Sequence, residues 1–166
     1  MKNLLWVSCF AAALSVAAVA QNTRPPVLPP ESHQFDFWIG DWAVTTPDGK
    51  PAGSNKIEPI AQGAGLLENW AGAGGGDGKS LNVYNRANKQ WQQFWVGAGG
   101  GVLELAGGIV GGNMVLTGEH KVRGQSTMEK ITWTPNPDGS VRQHWEQSTD
   151  GGKNWTDAFD GIYRRK

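Results

Sequence analysis

The chain has a single cysteine, Cys9, in 166 residues. It lies in an apolar N-terminal stretch that reads as a cleaved leader, so the remaining chain holds no thiol. That excludes a disulfide, a thiolate nucleophile and a cysteine metal site. Charge of one sign is also lacking: 15 Lys and Arg stand against 15 Asp and Glu, with no long basic run. Such a balance argues against nucleic acid or an anionic membrane surface as partner. Histidine is scarce, with three residues and no close pair, a weak basis for a metal site. There is no Gly-x-Ser-x-Gly, no phosphate loop and no dinucleotide fingerprint. Gly72 to Gly76 leads into a strand pattern and lacks the helix N-terminus that phosphate binding uses. After Ile39 no stretch keeps a helical period for about ten residues. Present in excess are glycine, 24 residues, and tryptophan, nine. Glycines and aromatics in short runs point to an all-β chain with tight turns.

The N-terminus reads as an export signal. Lys2 supplies a positive start, Leu4 to Val19 an apolar run, and Ala18-Val19-Ala20 a small-x-small cleavage site. Cys9 is not preceded by the small residues of a lipoprotein signal. The expected organisation is a signal peptide over 1–20, a Pro-rich linker over 21–31 and one domain over 32–166, periplasmic or secreted, with no stable membrane anchor. A domain of that size buries roughly 70% of its unfolded surface and needs no covalent staple.

The stretch Gln34 to Thr45 organises the rest. Ser32 caps a short helical turn over His33 to Ile39, in which Phe35, Trp38 and Ile39 share a face. Gly40 lets the chain reverse, and Trp42 and Val44 open a first strand. Nine more strand patterns follow, over 54–61, 66–71, 79–85, 90–96, 102–106, 113–120, 126–134, 140–148 and 155–164, separated by turn signals such as Pro47-Asp48-Gly49 and Pro135-Asn136-Pro137-Asp138-Gly139. Pro59 marks an edge, a bulge or an early end. The expectation is an antiparallel up-and-down β-barrel of about ten strands with a short N-terminal helical turn, because closure removes exposed edges. A two-sheet sandwich is the competing fold.

Gly40-Asp41-Trp42, after an aromatic turn and opening the first strand, resembles the Gly-x-Trp signature of lipocalins and the wider calycin superfamily. That resemblance implies an arginine near the end of the last strand packed over the tryptophan. Arg164, just after Tyr163, matches that position, with Arg165 the alternative. Phe35 to Trp42, with Glu68-Asn69-Trp70, Ser80 to Tyr84, Trp91 to Trp95 and Trp155, is similar to a group of exported bacterial proteins of unknown function. This second resemblance implies a fold and an envelope location, and no activity. Ser148 to Trp155 resembles the Asp-box hairpin of sialidases, which implies a structural turn around Asp150.

Alternation sorts the candidate residues by face. Leu66, Glu68 and Trp70 share one, as do Ser80, Asn82 and Tyr84, and Trp91, Gln93 and Trp95. Arg142, His144 and Glu146 oppose Val141, Gln143, Trp145 and Gln147. Asp157, Phe159 and Tyr163 share a face. A lumen mixing Trp, Tyr, Asn, Gln and Glu suits a small hydrophobic or amphipathic ligand. The expected ligand-binding residues are Glu68, Trp70, Asn82, Tyr84, Trp91, Gln93, Trp95 and Tyr163. An alternative is an isomerase, cyclase or hydrolase with His144, Glu146 or Glu68 as acid or base. A filled-core structural protein is the third reading. Glu68, Glu104, Glu129 and Glu146 lie in strand interiors, where burial raises a carboxyl pKa unless a partner such as Arg142 compensates. His144 and Glu146 would form half of a metal site or an acid-base pair, with His120 completing it if the seventh strand lies across the lumen, and a single-histidine haem would use His120 or His144. No flanking motif supports either, and neither metal nor cofactor is expected.

Overall fold

A computed structural model describes residues 27–122 and 124–166. The leader, and the linker as far as Pro26, lie outside the described residues. Ten strands follow in chain order: β1 (Gly40–Thr45), β2 (Pro51–Ile60), β3 (Gly65–Gly72), β4 (Gly78–Asn85), β5 (Gln90–Gly97), β6 (Val102–Val110), β7 (Asn113–Val122), β8 (Gln125–Pro135), β9 (Val141–Ser148) and β10 (Thr156–Arg165). Each pairs antiparallel with the next. β1 also pairs with β10, with Val44 opposite Tyr163, so the sheet closes as an up-and-down barrel. Among the described residues closure leaves no edge strand, which excludes the sandwich. A closed ten-strand antiparallel barrel fits a calycin-like architecture.

Three local features differ from expectation. The N-terminal turn is two 3₁₀ segments, Pro30–His33 and Asp36–Trp38, and Ser32 is buried inside the first without capping it. Gly107 to Gly112 is not a loop: β6 runs on to Val110, and Gly111-Gly112 alone turn the hairpin, both at positive φ (57° and 87°). On β10 the register shifts between Asp157 and Phe159, where Ala158 is the extra residue of a bulge. The bulge sets Asp157 opposite Glu146 and Phe159 opposite Trp145. Asp157 therefore leaves the face shared by Phe159 and Tyr163. Pro59 sits one residue before the end of β2, the early end its missing N–H permits.

One end of the barrel is plugged. Phe35 and Trp38, both fully buried, stack at 4.9 Å between centroids, and Phe35 meets Trp133 edge-on at 5.1 Å and Trp91 at 5.6 Å. Trp42 Nε1 donates to the Trp38 carbonyl at 2.9 Å, and Trp91 Nε1 to the Glu31 carbonyl at 3.1 Å. These bonds tie the 3₁₀ turns across the barrel end. Burying such a ring contributes at most roughly 4–6 kcal/mol. The arginine over Trp42 is Arg165, with its guanidinium carbon 4.5 Å from the ring centroid, and not Arg164. Trp42 pairs opposite Arg165 in the register, whereas Arg164 lies opposite Ala43. Gly40 makes room for the stack: a Cβ there would come 2.5 Å from Arg165 Nη1 and 3.1 Å from the Trp42 ring.

Candidate functional site: the open end of the barrel

Away from the plug, the lumen holds a cavity of about 160 Å³ lined by Glu68, Trp70, Gln93, Trp95, Leu103, Ile131, Gln143, Trp145, Ala158, Phe159 and Tyr163. Trp95, Leu103 and Trp145 also border a second, more open vestibule, lined further by Gly101, Val102, His120, Lys121 and Gln147. The vestibule lies at the end that carries the β5–β6, β7–β8 and β9–β10 loops. An apolar cavity of about 150 Å³ suffices to admit benzene. The inner space is of the size of a single-ring molecule.

The lumen is open because its aromatics lie along the wall. A Cβ at Gly78 would come 2.1 Å from Trp95, one at Gly53 2.8 Å from Trp70, and one at Gly161 2.6 Å from Phe159. Each ring occupies the place that a side chain on its neighbour would fill, so it covers the sheet without crossing the lumen. Trp70 and Phe159 meet edge-on at 5.7 Å.

A polar band crosses the floor. Asn55 Nδ2 donates to Glu68 Oε1 at 2.7 Å, and Ser80 Oγ to Oε2 at 2.6 Å. Asn82 Nδ2 donates to Ser80 at 2.8 Å, and Gln93 Nε2 to Asn82 at 2.9 Å. On the other side Tyr163 donates its hydroxyl to Gln143 at 2.5 Å, and Asn55 Nδ2 reaches that hydroxyl at 3.4 Å. Glu68 is 3% exposed. Burial pushes its pKa up to about 7, against the opposing pull of the Ser80 and Asn55 hydrogen bonds. Burial, with the nearby Glu68 charge adding, holds the Tyr163 phenol well above its usual range.

A second buried carboxylate, Glu129, sits nearer the mouth. Trp145 Nε1 donates to it, Gln147 Nε2 donates at 3.0 Å, and His120 Nδ1 lies 3.4 Å away. Burial raises its pKa, and the Trp145, Gln147 and His120 contacts lower it again in part.

The structure divides the residues singled out from sequence. Glu68, Trp70, Gln93, Trp95 and Tyr163 line the cavity, and Asn82 lies one layer behind it in the polar band. Trp91 and Tyr84 sit at the plugged end, 6.3 Å apart, and do not line it. They share a strand face with the lining residues but stand at the opposite end of the barrel. His144 and Glu146 face outward, because Gln143 and Trp145 face in. Outside, His144 Nε2 lies 2.8 Å from Asp157, and Lys130 pairs with Glu146 at 2.9 Å. Neither can act in the lumen with Glu68. Arg142 binds Asp160 through two bonds of 2.8 and 2.7 Å and is no partner of a lumen carboxylate. Glu104 is exposed. Gln143, Trp145, Phe159, Leu103 and Ile131 line the cavity and were not singled out, although alternation on β9 already put Gln143 and Trp145 on one face. The Ser148–Trp155 hairpin is held by Asp150, which accepts from the Lys153 and Asn154 N–H groups at 3.0 and 2.9 Å and is pushed down to about 2 chiefly by the Asn154 bonds.

Among the described residues no group of three or more His, Cys, Asp or Glu side chains converges as metal ligands. In comparisons with known proteins, the chain matches no protein-family model and no curated protein.

Proposed function

We propose that this is an exported, calycin-like binding protein that holds one small amphipathic molecule in the open half of its lumen. The observation that carries the reading is the cavity of about 160 Å³ between the aromatic wall and the polar floor at Glu68, Gln93 and Gln143. An apolar wall with a few convergent polar groups is how small-molecule sites are built. Export rests on the sequence of residues 1–20. Native mass spectrometry of mature protein, purified gently from the envelope fraction of its own host, tests the reading. A discrete added mass of one small molecule is expected. A bare mass, together with unchanged tryptophan emission across a panel of small aromatic compounds, contradicts it.

The place of Glu68, a buried carboxyl in the wall of the cavity, favours catalysis as a second reading. A carboxyl that titrates near 7 can both take and give a proton at neutral pH. Glu68 is then the acid or base, and the compound carried by the protein would be returned chemically altered on incubation. A carried compound recovered unchanged after prolonged incubation with fresh protein counts against this reading.

A further inference from the structure

We infer that the molecule held in the lumen is a small organic cation, a protonated amine or quaternary ammonium, seated among Trp70, Trp95, Trp145 and Phe159 with its charge toward Glu68. This rests on the ligand-binding reading above and adds the sign of the ligand's charge.

Three features converge on it. The first is an acid without a countercharge. Glu68 is buried, and among the described residues its two oxygens accept hydrogen bonds only from the neutral Asn55 and Ser80. Among the described residues no Lys, Arg or His lines the cavity. A buried carboxylate calls for a positive partner, and neutral donors compensate it only in part. Asn55 from β2 and Ser80 from β4 bond it, Tyr163 from β10 lies near it, and Gln93 from β5 and Gln143 from β9 line the same cavity. Only Tyr163 among these is titratable, and it becomes negative, not positive. The second feature is the wall. Indole and phenyl faces attract cations within about 6 Å of the ring centroid, and more strongly where water is excluded. These four rings line the same cavity as Glu68, and Trp145 also donates its indole N–H to the second buried carboxylate, Glu129. The third is size, since the inner cavity admits a single ring or a small ammonium head and little more.

Other ligand classes fit less well. A carboxylate or phosphate would meet Glu68 as a like charge. A neutral molecule of the same shape would leave Glu68 uncompensated or protonated.

Titration calorimetry at pH 8 with benzylammonium, benzyl alcohol and benzoate tests the inference with one shape and three charges. Benzylammonium is expected to bind at least about tenfold more tightly than benzyl alcohol, with benzoate weakest. In Glu68→Gln the two stronger ligands converge, while benzyl alcohol still binds. If benzyl alcohol or benzoate matches or exceeds benzylammonium in the parent protein, the inference is overturned and the ligand-binding reading stands. If none of the three binds, the ligand-binding reading falls and the inference with it. The ranking in the parent protein decides the matter even if the variant fails to fold.

Discussion

The Trp95 indole lies across Gly78 of the neighbouring strand, so closely that a Cβ at Gly78 would sit 2.1 Å from the ring. Trp70 and Gly53 repeat the relationship on the adjacent strands. The glycines explain how a chain so rich in tryptophan keeps space inside a small barrel.

Gly78→Ala is expected to force Trp95 off the wall. Its backbone angle is one that alanine adopts, so the effect is steric. Overpacking of this kind costs about 1–3 kcal/mol. Urea denaturation reads that loss, and calorimetry with benzyl alcohol reads the accompanying loss of binding. Unchanged stability and binding would show that the ring is free to lie elsewhere.

Arg165 stacks over Trp42 at the barrel end, and Arg164, opposite Ala43, does not. Arg165→Ala should cost about 1 kcal/mol from the lost cation–π stack, and Arg164→Ala should stay within about 0.5 kcal/mol of the parent. Thermal melts of the two variants side by side separate them. Equal losses would remove the distinction.

Glu68 makes stability depend on pH in an unusual direction for a carboxylate. Unfolded, it ionises near 4.5, and folded, near 7. Between those values the folded state holds the extra proton. Stability therefore falls as pH rises through that window, and the loss is complete above it. The gap corresponds to roughly 3 kcal/mol. Glu68→Gln should be more stable than the parent by roughly 1–3 kcal/mol at pH 8, and the difference should vanish toward pH 4. Glu129 is also pushed up, but it is present in both proteins and cancels in the comparison. The same titration should weaken cation binding as pH falls below 7. A stability difference that does not change with pH contradicts this account of Glu68.

The plugged end and the open end should respond differently to truncation. Phe35 is fully buried against Trp38, Trp91 and Trp133. Phe35→Ala should cost about 3–5 kcal/mol. Trp145, half-buried at the mouth, should cost less when replaced by alanine and should alter ligand binding more. Denaturation and calorimetry on both variants check the contrast, and a larger stability loss at Trp145 would reverse the assignment of the two ends.

Much of the architecture was legible in the residues. Period-two alternation on β3, β4 and β5 placed Glu68, Trp70, Gln93 and Trp95 on one face, and turn chemistry marked most of the hairpins. What could not be read has physical causes. Alternation gives a face but not a height along the barrel, so Trp91 and Tyr84 grouped with Trp95 although they stand at the plugged end. A single bulge residue, Ala158, moved Asp157 off the Phe159 face, and nothing in its side chain announces that. His144 and Glu146 formed a plausible chemical pair, yet the inward place of Gln143 and Trp145 decides that they face out. Arg164 and Arg165 differ by one residue, which in a strand is the whole difference between facing Trp42 and facing away.

The indole N–H resonances of the protein, followed by NMR while benzylammonium is added, test the central claim most directly. The account predicts that Trp70, Trp95 and Trp145 move together with one saturating affinity while Trp38, Trp42 and Trp133 stay in place. Movement confined to the plugged-end tryptophans or to Trp155 on the surface, or no movement at saturating concentration, would contradict a binding site in the open half of the lumen.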